Sequence, residues 1–90
     1  MNKYEQLLEE RSNLIFNSCK RVHFRKNGDK VFYQSSNPIM ELKLKKNERR
    51  IIKESVKLRK SVKEVKKDLE SARWKGADKM FNAVEEKLNK

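Results

Sequence analysis

In 90 residues the chain has one cysteine, one proline, two glycines and one histidine, and no apolar run long enough to cross a membrane. Each scarcity excludes something. A lone Cys19 leaves no internal disulfide and no thiolate zinc cluster, and points to the reducing cytoplasm. At the end of an apolar helical run, Cys19 reads as a small buried hydrophobe, although Lys20 and Arg21 would favour a thiolate. The opening MNKYEQLLEE has acidic residues where a signal peptide needs an apolar core, so a soluble, unexported chain with no membrane partner is expected. His23 has no second ligand or base nearby. With no glycine-rich phosphate loop and no paired inward carboxylates, the chain reads as a non-enzyme without metal, cofactor or small-molecule substrate.

What the sequence does have is positive charge. Of its residues 41% are charged and only 36% hydrophobic, and the formal net charge is +11. Residues 1–90 make one small domain with a thin core, so a partner subunit is a reasonable expectation. The charge favours polyanions, nucleic acid first among them. Lysine excess also accompanies A/T-rich coding, so the distribution says more than the total. Residues 43–67 carry twelve basic and three acidic side chains, and residues 20–34 carry five and one. The flanking segments are close to neutral. That is a localised basic patch.

The expected layout is mainly α with one β-hairpin. Residues 2–19 form a first helix, capped by Asn2 with Glu5 three residues on, and with Tyr4, Leu7, Leu8, Leu14, Ile15 and Cys19 on its apolar face. Arg11 interrupts that stripe at its edge. Residues 21–34 form the hairpin. Asn27-Gly28 predicts a two-residue type I′ turn, which pairs Val22 with Tyr33, His23 with Phe32, Phe24 with Val31 and Arg25 with Lys30. One face is then apolar (Val22, Phe24, Val31, Tyr33) and must be covered. The other carries Arg21, His23, Arg25, Lys30 and Phe32 for solvent or a ligand. Ser36 or Asn37 caps the next helix, with Pro38 at its first position. With no further glycine or proline until Gly76, residues 38–75 predict one basic helix of roughly 57 Å. Gly76 marks a break. Residues 77–89 give a last helix with Met80, Phe81, Val84 and Leu88 inward, and Trp74 anchors it.

Along residues 38–75, Leu44, Ile51, Leu58, Val65 and Ala72 recur every seven residues, with Glu48, Ser55, Val62, Leu69 and Gly76 interleaved. From Ile51 to Leu69, through Leu58, Val62 and Val65, this makes a seam. It predicts either packing within the chain or a coiled-coil homodimer, in which Glu54 and Asp68 would face Arg59 and Arg73. Residues 47–60, NERRIIKESVKLRK, faintly resemble the contact region of basic leucine zippers. Arg50 and Ile51 stand where that family has small residues, so the chain is not assigned to it.

The functional expectation is a small basic nucleic-acid-binding protein, for DNA or RNA. Its contacts would come from Lys45, Lys46, Arg49, Arg50, Lys53, Lys57, Arg59 and Lys60 on the long helix. Arg21, Arg25 and Lys30 on the hairpin would join them, with Phe32 stacking on an unpaired base. The alternative is a phage- or mobile-element-type interaction protein that inhibits or adapts a host protein through an acidic surface.

Overall fold

Asn2 starts the first helix of the computed structural model, which describes residues 2–34 and 37–88. Its side-chain oxygen accepts the Glu5 N–H at 2.8 Å, closing the first turn of α1, Lys3–Ser18. Tyr4, Leu7, Ser12, Ile15 and Ser18 form its buried face. The chain becomes extended at Cys19, so that residue opens a strand and does not end the helix.

The hairpin forms from β1, Cys19–Phe24, and β2, Lys30–Gln34, but its expected register is wrong by one. Arg25 donates its N–H to Asp29 O at 2.8 Å, and Gly28 donates to Arg25 O at 3.0 Å. The loop therefore has three residues, Lys26 to Gly28, with only Gly28 in the left-handed region at φ 92°. Asn27 stays out of that region and spends its side-chain oxygen on the Asp29 N–H, at 3.1 Å. The pairs become Arg21 with Tyr33, Val22 with Phe32, His23 with Val31 and Phe24 with Lys30, with an irregularity at Lys20. A one-residue slip exchanges the faces of β2. The covered face holds Val22, Phe24 and Phe32; the other carries Arg21, His23 and Tyr33, all exposed, with Val31 half-buried among them. Aromatic packing explains the choice. The Phe24 and Phe32 rings sit edge-on to Phe81, with centroids at 5.9 and 6.1 Å. Tyr33 stays 41% exposed and receives the Arg21 guanidinium 4.6 Å from its ring centroid.

The expected helix 38–75 is two helices. Asn37 accepts the Ile39 N–H at 2.9 Å and Pro38 opens α2, Pro38–Lys57; Ser36, the other candidate cap, lies outside the described residues. After Lys57 the Arg59 N–H bonds Val56 O at 3.1 Å and the Lys60 N–H bonds Ser55 O at 3.0 Å. This is a Schellman stop, with Arg59 at φ 55° in the place glycine usually takes. Ser61 then caps α3, Val62–Leu88, its Oγ accepting the Glu64 N–H at 3.1 Å. Gly76 does not break the chain. It lies inside α3, and the proposed separate helix 77–89 is the second half of that element; residue 89 is outside the described residues.

An L-residue in the left-handed region costs roughly 1–2 kcal/mol, of which glycine would return a part after its own unfolded-state entropy. Arg59→Gly should therefore stabilise the chain by about 0.5–1 kcal/mol and raise Tm by about 2–8 °C in a thermal melt. A lower Tm would show that the arginine side chain contributes more than its backbone costs.

The first helix is the centre of the packing. Lys3 near Glu54 and Arg11 near Leu44 and Asn47 make α1 antiparallel to α2. Tyr4 on Asp68 and Asn13 on Lys79 make it parallel to α3. Tyr4, Leu7, Ile51 and Val65 form the shared core, with Leu8 and Leu69 packed against it. The predicted seam is thus divided. Ile51 and Val65 are buried on α1, Leu69 is half-buried, and Leu58 and Val62 are exposed beside the stop. The five residues cannot form one straight seam, because the chain reverses between Leu58 and Val62.

Within that core the Tyr4 hydroxyl donates to Asp68 Oδ2 at 2.6 Å. Burial first, then this bond, hold the phenol's proton above its ordinary pKa of 10.0. The folded state favours the neutral phenol, so the stability gained here is complete below pH 10 and declines as pH rises further. Tyr4→Phe should cost about 1 kcal/mol at pH 7. Denaturant titrations above pH 10 should show stability falling less steeply for the variant than for the wild type. Parallel curves would remove Tyr4 from the alkaline transition.

Candidate nucleic-acid interface

The buried side of α2 decides what the exposed side presents. Ile51 is 0% exposed, and Asn47 and Ser55 are buried one turn either side of it. Asn47 fixes the helix's rotation. Its amide donates to Leu7 O at 2.9 Å, and its oxygen accepts from the Arg11 guanidinium at 3.3 Å. That guanidinium also donates to Leu44 O at 3.3 Å. Burial lowers its proton affinity, with Glu48 partly opposing. Arg11 thus lies between α1 and α2 and ties them together, half-buried where an edge position was expected.

With that rotation fixed, Lys43, Lys46, Arg50, Lys53 and Lys57 fall on one line, separated alternately by three and four residues. All five are exposed. Helical rise spreads them over about 21 Å. They form the outer wall of the groove between α1 and α2, where Lys3, Leu7, Glu10 and Leu14 make the opposite side. Glu54 is the acid closest to the row, 3.2 Å from Lys57 and 3.8 Å from Lys3. Lys43, not among the residues expected from the sequence, joins the row through its three-residue spacing from Lys46.

The remaining candidates lie elsewhere. Lys45 and Arg49 turn towards the opposite flank of α2. Arg59 and Lys60 occupy the turn, where the Lys60 ammonium sits 4.9 Å from the Tyr4 ring centroid and 3.8 Å from Glu64. On the hairpin, Lys30 pairs with Glu85 at 3.2 Å and lies over Phe81. Arg21 covers Tyr33, and Arg25 closes the loop through its backbone. Phe32 is turned inward against Trp74 and Phe81, with the Arg73 guanidinium 5.3 Å from its centroid. This corrects its expected place on the open face. Trp74, expected to anchor a separate last helix, lies within α3 and meets the hairpin edge-on at Phe32, while 46% of it remains exposed. Leu88, expected inward, is exposed at 71%. The hairpin packs on α3, so its cations do not extend the α2 row along one element.

Cys19 is half-buried and its thiol donates to Arg21 O at 3.6 Å. Burial raises its pKa, with hydrogen bonding to the backbone of Arg21 and Tyr33 partly opposing. Among the described residues no three His, Cys, Asp or Glu side chains are gathered to hold a metal ion, and no helix is long and apolar enough to cross a membrane. No known protein family, curated protein or solved structure matches the chain.

Proposed function

We propose that the chain binds nucleic acid along the phosphate backbone, with α2 laid on it and the row from Lys43 to Lys57 making the contacts. The observation that carries this reading is the row itself: five exposed cations on one line of a helix whose rotation is fixed by its buried side. Duplex DNA offers one negative charge per about 1.7 Å of axis, so every cation of the row has a phosphate within reach. Four of the five are lysines, point charges suited to phosphate more than to planar base edges. Binding of this kind tolerates sequence, because phosphate contacts position a protein without reading bases.

The test is an anisotropy titration against duplex DNA, single-stranded DNA and RNA over a range of salt. For duplex DNA, log affinity should fall linearly with log salt, at a slope near about −4.5 if all five cations engage. If none of the three is bound at low salt, where attraction is strongest, the proposal fails.

A further inference from the structure

The opposite flank of α2 faces α3 across a groove of about 320 Å3, and the groove is apolar where it should cost most to be so. Ile52, Val56 and Val62 are 47, 70 and 73% exposed, and Leu69 is half-buried beside them. On α2 the residues Lys45, Arg49, Ile52 and Val56 follow one line at helical spacing. On α3 the residues Val62, Lys66, Leu69 and Arg73 repeat the same spacing. The two helices run in opposite directions on either side of α1, so the apolar members of both lines meet near the Arg59 turn. Lys60 and Lys66 are the cations of the lining, while Lys45 and Arg49 continue the α2 line away from it and Arg73 lies over Phe32 on the hairpin side. Glu48 is the one acidic residue in the lining.

β-branched residues are poor helix formers when nothing packs on them, so this concentration gains little within the chain itself. Contiguous exposed apolar side chains on a small protein mark a contact surface. A groove between two helices fits a third helix laid lengthwise, read by anchors three and four residues apart. Charge selects which helix. A second copy would bring the lining's Lys60 and Lys66 against those of its partner, on molecules that each carry +11. A helix with an apolar stripe and carboxylates on its flanks meets the walls without that repulsion.

We propose that the groove between α2 and α3 docks an acidic amphipathic helix of a protein partner. This inference is independent of nucleic-acid binding, which uses the other flank of α2.

The probe is a synthetic helical peptide with leucine at three- and four-residue spacing and glutamate elsewhere, added to isotope-labelled protein. Two control peptides have the same composition scrambled, or lysine in place of glutamate. Amide shifts should saturate around Ile52, Val56, Val62 and Leu69, with neither control reproducing them. Val56→Glu and Val62→Glu, at sites open enough to leave the fold intact, should each weaken the acidic peptide at least tenfold at 150 mM salt. Lys46→Ala with Lys53→Ala should change it less than twofold. Shifts confined to the Lys43–Lys57 row, or equal binding of the scrambled peptide, would overturn the proposal. So would sedimentation showing a wild-type dimer that Val56→Glu dissolves, since the groove would then hold a second copy. Loss of duplex binding in Val56→Glu would assign the groove to nucleic acid instead and equally overturn it.

Discussion

Replacing Gly76 by alanine should lower the melting temperature by about 10–20 °C, the reverse of what alanine does in most helices. An exposed helical glycine gains about 1 kcal/mol on becoming alanine. Gly76 is buried where α3 crosses α1, and a Cβ there would meet the Ser12 carbonyl oxygen and, at 3.0 and 3.1 Å, Cβ and Cγ2 of Ile15. A carbonyl inside a helix cannot turn aside as a long side chain can. The two helices must separate, and Ser12, Ala72 and Ala77 show how closely they now approach. Because α1 also carries α2, the displacement reaches the Tyr4, Leu7, Ile51 and Val65 core. Overpacking of this kind costs about 1–3 kcal/mol, and this site belongs at the upper end. Circular dichroism melts decide it, with Ser71→Ala on the exposed side of α3 as the control expected to melt slightly higher. A higher melting temperature for Gly76→Ala would mean that the crossing is loose and that the glycine serves only to bend the helix.

The same glycine shows where sequence reading reached its limit. Glycine serves both as a helix breaker and as the only side chain thin enough for a close crossing. Spacing along one segment cannot distinguish the two, because the partner backbone comes from residues 12–15. The true break went unseen for the complementary reason. Arg59 occupies the left-handed position without looking like a stop, and only Ser61 with Glu64, an S-x-x-E capping pattern, announced the restart. Asn2, Asn37 and Pro38 were legible because a cap acts within its own turn. The hairpin was legible too, but not its register. Asn-Gly suits both a two-residue turn and a three-residue loop, and the decision rests with Phe81, almost fifty residues away. The heptads found Ile51 and Val65 correctly as buried positions. They could not show that these two share a core with Tyr4 and Leu7, from the other end of the chain.

For the interface, the fixed rotation of α2 turns a diffuse basic segment into a prediction about particular side chains. Replacing Lys46, Arg50, Lys53 and Lys57 together by alanine should remove four of the five contacts in the row. Each duplex phosphate contact contributes about 0.9 to the salt slope, so the slope should become shallower by about 3.6. At 0.15 M salt the same counterion term corresponds to an affinity loss of about a thousandfold. All four residues are exposed, and alanine propagates a helix at least as well as they do, so the variant should fold. Lys45→Ala with Arg49→Ala removes two charges from the same helix but from its other flank. If a fixed row makes the contacts, that pair should alter the slope by less than about one, the change expected from a single lost contact. Equal effects per charge from both sets would show that the segment attracts polyanions only as a diffuse field, without a docked geometry. An unchanged slope in the fourfold variant would place binding away from α2 altogether, and Arg21, Arg25 and Lys20 on the hairpin would be the cations to replace next.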